Sequence, residues 1–327
     1  MCVNVIPLQA EWLAPMLDLW NRELGGHFPM REELLRQNTF EDVNVYAPGS
    51  WLAHSPDGTL LGFVVAKTWR EEDRGMKLGE GGGWIQALVV RSEARGRGLG
   101  SRLLALAEEA LQATGANKVF MGRDPWHYFP GVPAALDSAR PWLERRGYRF
   151  LYEVHDLYAS VKDEPVVRPD YSGDVQARLL ECSDREEMLR FFRRCFPGRW
   201  YYEAQCYWER GGQGREFLGL FTESGEMIGF CRVNDEASPY IAQNTYWAPL
   251  VPEPLGGIGP LGVDSRYRGK GYGLALVEEG IAELQARGMK HLVIDWTELV
   301  DFYAKLGFQP WKSYDLMANS WSEDSQG

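Results

Sequence analysis

The sequence predicts a mixed α/β fold, a sheet covered by helices, built twice in tandem. Three observations carry this. The chain has 327 residues, more than one hydrophobic core usually organises. Sliding it on itself by 173 positions without gaps lays residues 91–121 over 264–294, and ten of those 31 positions are identical. Both halves then repeat one order of apolar strand-like runs and amphipathic helical segments. An offset near half the chain length is the signature of a domain-sized duplication.

In the first half, "VNVIPL" reads as a short strand, followed by helices over residues 11–24 and 31–37. "SWLAH" and "LLGFVVAKTWR" form a hairpin around "SPDGT", where Asp57-Gly58 is a strong turn signal. "WIQALVV" is the next strand. A helix with Leu103, Ala107 and Leu111 on one face ends near Gly115, a residue suited to a C-cap. "KVFM" is a buried strand, a helix over 138–146 stops at Gly147, and "YRFLYEVHDLYASV" supplies the last strands.

The second half repeats this with "VQARLL", helices over 185–196 and 201–209, and the hairpin "EFLGLF"/"EMIGFCRV". "IGPLGV" precedes a helix with Val277, Ile281 and Leu284 on one face. "HLVID", a helix over 299–306 and "FQPWKSYDLM" follow. The proline-containing, helix-poor segment 163–174 reads as a connector, so the expected domains are 1–162 and 175–327.

Composition excludes several classes. The net charge of −11 argues against nucleic-acid binding, which depends on surplus Lys and Arg. It favours a cationic or amine partner. Five scattered cysteines with no CxxC fit reduced thiols in a cytoplasmic protein better than disulfides or zinc. No metal site is expected. Nothing resembles a signal peptide or a membrane span. Monomer and homodimer both stay open.

Between strand and helix each half carries a glycine phrase: Arg95-Gly96-Arg97-Gly98-Leu99-Gly100 and Arg268-Gly269-Lys270-Gly271-Tyr272-Gly273. A loop feeding a helix start exposes backbone N–H groups at the positive end of the helix dipole, an anion site. Glycines let that backbone approach a ligand closely and form a nest of N–H groups. The expected ligand is a phosphate or pyrophosphate. A P-loop does not fit, because Lys270 precedes Gly271, and the third glycine of GxGxxG falls on Leu274 or Ser101.

The phrase, opening a helix after strand ends "ALVV" and "PLGV", resembles the acyl-CoA motif of the Gcn5-related N-acetyltransferases (GNAT). The resemblance covers essentially the whole chain as two GNAT-like acyl-CoA N-acyltransferase units. It implies that the loop amides, at Gly96–Ser101 in numbers 96–101 and at 269–274 ending on Leu274, hold the pyrophosphate of acetyl-CoA. Arg95, Arg97, Arg268 and Lys270 stand beside them. It further implies that Leu88, Val89 and Val90, and Leu261, Gly262 and Val263, line the pantetheine arm.

A second marker of the family is a tyrosine in the helix after the next strand. Tyr303 occupies that place in "WTELVDFYAKLGF". A phenol, with a reference pKa of about 10, can protonate a departing thiolate. The family often has Asn seven residues earlier, and here that position is Trp296. In the first half "WLERRGY" aligns Leu143 with Tyr303, and leucine cannot donate a proton. The preceding "HYFPGVPAALDSARP" reads as a rebuilt loop. The pattern resembles tandem GNAT proteins of the mycothiol-synthase-like group, in which one half carries the chemistry.

The resemblance implies direct attack of a small-molecule or peptide amine on the thioester, with a backbone N–H near Val263 polarising the carbonyl. Glu253, Asp264 and Asp295 are the candidate bases, and His291 is expected to pack at a strand start. Tyr201, Tyr202, Tyr207, Trp208 and the loop over 235–256 are candidates for the acceptor pocket. The alternative is a non-catalytic acyl-CoA sensor that regulates a partner.

Overall fold

A computed structural model describes residues 3–79, 81–161, 168–169, 171 and 175–321. Most of the connector expected at 163–174, and Cys2, lie outside the described residues. No described helix is long and apolar enough to cross a membrane. Cys182, Cys195, Cys206 and Cys231 are free thiols.

The first half runs β1 (Asn4–Pro7), α1 (Leu13–Leu24), α2 (Glu32–Leu35), β2 (Trp51–His54), β3 (Leu60–Thr68), β4 (Gly83–Val90), α3 (Leu99–Gln112), β5 (Lys118–Met121), β6 (Val132–Pro133), α4 (Ala139–Glu144) and β7 (Arg149–Ser160). The second runs β8 (Val175–Leu179), α5 (Arg185–Cys195), α6 (Arg199–Glu209), β9 (Phe217–Thr222), β10 (Met227–Asn234), β11 (Leu255–Val263), α7 (Tyr272–Ala286), β12 (His291–Thr297), α8 (Val300–Ala304) and β13 (Gln309–Ser320). Two elements differ from expectation. The helix predicted over 31–37 runs on as a wide turn through Phe40. The strand predicted from Ile258 begins at Leu255.

The chain forms two compact units, Met1–Val154 with Lys312–Gly327, and His155–Trp311. This partition differs from a single cut in the connector. The end of β7 completes the second unit by pairing antiparallel with β12, from His291↔Ser160 to Thr297↔His155. The end of β13 completes the first by pairing antiparallel with β5, Ala318↔Phe120 through Ser320↔Lys118. Hydrophobic periodicity fixes a strand's faces, not which sheet receives its edge, so the exchange leaves no mark in the pattern.

Within the first unit β1, β2, β3 and β4 are antiparallel neighbours and β4 pairs parallel with β5. The second unit repeats this with β8, β9, β10, β11 and β12. Leu103, Ala107 and Leu111 bury the expected face of α3 against Val64, Ile85 and Val119. Leu276, Val277 and Leu284 bury α7 against Ile228, Cys231 and Ile258, while Ile281 packs at the margin. Each fully buried leucine or valine among them contributes about 1.5–3 kcal/mol of apolar burial. These seals fix the helix starts over the ends of β4 and β11.

Candidate active site

The two parallel pairs open at the same residue. The β4/β5 ladder runs Gly83↔Val119, Trp84↔Phe120 and Ile85↔Met121. The β11/β12 ladder runs from Leu255↔His291 to Ile258↔Ile294. Both ladders end there, although β4 continues to Val90 and β11 to Val263. The antiparallel register on the other edge slips at the same place, leaving Gln86 out in β4 and Gly259-Pro260 opposite Arg232 in β11. A bulge bends its strand, so each strand end swings away from its parallel neighbour. Beyond the slip, Leu88 and Val90 turn toward the α3 core, as Leu261 and Val263 turn toward the α7 core. Val89 and Gly262 face the other side, and a Cβ on Gly262 would stand 2.5 Å from the Phe196 ring.

The glycine loops also match. Gly96 and Gly98 have φ of 72° and 82°, Gly269 and Gly271 of 79° and 82°. Side chains beyond glycine resist this left-handed region. Gly98 and Gly271 are the N-caps of α3 and α7. The first four N–H groups of a helix lack an internal acceptor. Arg102 N–H donates to Gly98 O and Ala275 N–H to Gly271 O. The amides of Leu99, Gly100 and Ser101, and of Tyr272, Gly273 and Leu274, therefore lead into the loop. A Cβ on Gly100 would lie 3.5 Å from Val90 and one on Gly273 3.8 Å from Phe302, ordinary contacts. Glycine there supplies bare backbone rather than relief of a clash. Arg97 and Lys270 are exposed beside the loop. The leading arginines instead clip it: Arg95 Nε donates to Val90 O at 2.8 Å and Arg268 Nε to Val263 O at 3.0 Å.

Past the sheet the units diverge. Phe308 N–H donates to Tyr303 O at 3.3 Å, and Tyr148 N–H to Leu143 O at 3.2 Å, so the two positions correspond in the fold. Tyr303 packs with Val263, Leu276 and Phe308 on the α7 side of the sheet. Burial raises its phenol above the usual range, helped by the nearby Cys231 and Asp295. It stays protonated at neutral pH. Leu143 fills the same place in the first core as plain hydrocarbon. Trp296, with φ of 46° near the end of β12, and Arg123, with φ of 54° just past β5, turn the chain at matching positions. The residue before that turn is Asp295 in one unit and Gly122 in the other. A Cβ on Gly122 would come within 2.2 Å of Phe129 O, so the rebuilt loop excludes any side chain there. That loop is held inside its own unit: Gln86 Nε2 donates to Trp126 O at 2.9 Å, and Tyr128 OH meets Thr39 Oγ1 at 2.7 Å.

The model of the acetyltransferase (GNAT) family matches residues 13–128 and 185–308, one copy per half. The chain belongs to the GNAT family. It is an N-acetyltransferase that uses acetyl-CoA, and both glycine loops and splayed strands suit that substrate's pyrophosphate and arm. Among curated proteins it is similar to the mycothiol acetyltransferase of Acidothermus cellulolyticus, 29% identical over 73% of this chain and 72% of that one. To the mycothiol acetyltransferase of Thermobispora bispora it is 30% identical over 70% of this chain and 74% of that one. Among solved structures, a GCN5-related glucosamine N-acetyltransferase region of a fungal multi-domain β-N-acetylglucosaminidase superposes with TM-score 0.82 at 23% identity. That match covers 97% of this chain and 38% of the fungal one. A tandem GNAT protein from clavulanic acid biosynthesis gives TM-score 0.69 at 15% identity, over 98% of both chains. These structural likenesses carry the tandem fold.

Within this GNAT chain the candidate bases separate. Asp264 is buried and accepts from the Arg266 backbone N–H at 2.9 Å and the Arg266 guanidinium at 2.8 Å. Arg194 and Cys195 donate to it as well. Arg266 above all holds this carboxyl far below the usual range, a poor base. Glu253 is exposed and stands 3.5 Å from His291 Nε2. His291 packs at its strand start as expected, stacked on Tyr158 with Nδ1 2.6 Å from the Tyr158 hydroxyl.

Asp295 is partly buried. Burial, then the charges of Asp156 and Glu203, push it up to about 7. Arg199 opposes them and stacks 4.8 Å over Trp296. Of the aromatic residues of α6, Tyr207 is fully buried, donates to Glu216 at 2.6 Å and accepts from Gly214 N–H. The Tyr201 hydroxyl accepts from Arg193. The polar side of α6, Arg199 and Glu203, is what meets Asp295. Sequence reading missed Asp156, because it belongs to a strand assigned to the first half.

Proposed function

We propose that this protein moves the acetyl group of acetyl-CoA to the amine of a small molecule, with the chemistry in the second unit. The first unit is then a non-reacting copy of the frame. One observation carries this reading: on matched loops, bulges and splays, the second unit has Tyr303 where the first has Leu143. The amine attacks the thioester carbonyl, the C–S bond breaks, and the leaving thiolate takes the phenolic proton of Tyr303. Holding donor and amine together at the splay supplies much of the rate. A small-molecule acceptor is supported by the similarity to mycothiol acetyltransferases, and the carboxylates Asp156, Glu203 and Asp295 suit an amine. Tyr303 also speaks for turnover over mere sensing of acyl-CoA.

The test is thiol release from acetyl-CoA with a panel of small amines, glucosamine and cysteine among them, comparing the intact chain with Tyr303→Phe. The variant should lose 10- to 100-fold in kcat and keep its affinity for acetyl-CoA. Unchanged turnover would remove Tyr303 from the reaction.

A further inference from the structure

We propose that Asp295 is the general base of the second unit, taking the amine proton on the side of the sheet opposite Tyr303. The proposal rests on placing the chemistry in that unit. Asp295 is the first residue after the last parallel pair, Ile258↔Ile294, so it stands at the apex of the splay. Strand residues alternate faces. Leu292 and Ile294 belong to the α7-side core with Tyr303, and Asp295 therefore faces the α5/α6 layer. Acid and base thus flank the gap that receives the thioester, near enough for the Asp295 charge to act on the Tyr303 phenol.

Arg232 of β10 lies on the same face, within reach of the Glu203 charge. It alternates with the core residues Cys231 and Val233 and is 1% exposed. Its Nε and Nη2 have no hydrogen-bond partner among the described residues. Leaving such donors unmade is costly, and the guanidinium packs instead against the rings of Tyr240, Phe217 and Tyr207.

The step balances. As the neutral amine's lone pair forms the C–N bond, its proton passes to an Asp295 oxygen. The C–S bond breaks and the sulfur takes the Tyr303 proton. Asp295 then returns its proton through solvent to the phenolate. The groups facing Asp295 are Asp156 from β7, Glu203 and Arg199 from α6, and Tyr303 from α8. Low hydration, then the two anionic neighbours Asp156 and Glu203, hold its carboxyl near 7, so it is ionised and competent on the alkaline side.

The experiment follows thiol release from acetyl-CoA with glucosamine across pH 5.5–9.5, and acetyl-CoA binding by calorimetry. Asp295→Asn should lose 100- to 1,000-fold in kcat, lose the rise in rate near pH 7, and bind acetyl-CoA unchanged. Asp295→Glu should recover at least tenfold with the rise restored. Asp295→Asn that keeps that rise overturns the proposal, whatever its rate. Infrared difference titration of the intact chain against Asp295→Asn needs no acceptor. A carboxyl protonating near neutrality supports the proposal, and one ionised throughout overturns it. A Tyr303→Phe chain with full turnover marks failure of the underlying reading instead, separately from either pH result.

Discussion

Arg268 donates from Nε to the carbonyl oxygen of Val263 over 3.0 Å, closing the glycine loop onto the end of its strand. Arg95 and Val90 repeat the bond at 2.8 Å. The arginine opening each phrase is therefore a brace for the loop amides as much as a charge for the ligand. Arg95 is braced in turn by Glu23 of α1, at 2.5 Å.

The first prediction follows from that brace. Arg268→Ala should weaken acetyl-CoA binding about tenfold, about 1.4 kcal/mol, since one bond orienting several amides is lost. Arg268→Lys should recover little, because the lysine ammonium lies one bond beyond the Nε position. Calorimetry on both variants measures this. Full affinity in Arg268→Lys would show that charge alone matters.

Much of this was legible in the residues. The offset of 173 that aligned the glycine phrases also aligns Ile85 with Ile258, Gln86 with Gly259, and Arg123 with Trp296. The same offset therefore relates the two splays, the two bulges and the two strained turns, which the structure reveals. Tyr303 and Leu143 were readable because each sits just before a Gly-aromatic pair. Two things were hidden. The exchanged ends of β7 and β13 depend on pairing partners far along the chain. The environments of Asp264 and Asp295 depend on side chains from α5, α6 and β7, so two similar-looking carboxylates took opposite characters. Asp264 is fixed as an anion by Arg266, whereas Asp295 is crowded by Asp156 and Glu203.

That contrast gives a second prediction, for Asp264. Its folded pKa is lowered, chiefly by the Arg266 guanidinium, so its ionisation stabilises the fold above about pH 4 and that contribution fades as pH falls further. Asn keeps an oxygen for the Arg266 N–H but loses the charge. With the Arg266 head largely in solvent, Asp264→Asn should cost only about 1 kcal/mol at pH 7. Urea midpoints at pH 7 and pH 3.5 test it. The gap between variant and wild type should narrow at the lower pH, and a widening gap would contradict the assigned sign.

Asp295 should behave in the opposite sense. Its folded pKa is about 7, against about 3.9 for an unfolded aspartate. The folded state therefore binds the proton more tightly, and stability falls as pH rises from about 4 to 7, then levels. Asp295→Asn removes this penalty. Three units correspond to about 4 kcal/mol at most, and the partial exposure of Asp295 reduces this to about 1–2 kcal/mol. The variant should thus gain on the wild type between pH 5 and pH 8 in urea unfolding, while its turnover collapses. A group that weakens the fold in the pH range where it is ionised for proton transfer is the expected trade between stability and activity. If Asp295→Asn were less stable than wild type at pH 8, the carboxylate would be a structural anchor, and its crowding by Asp156 and Glu203 would have another explanation.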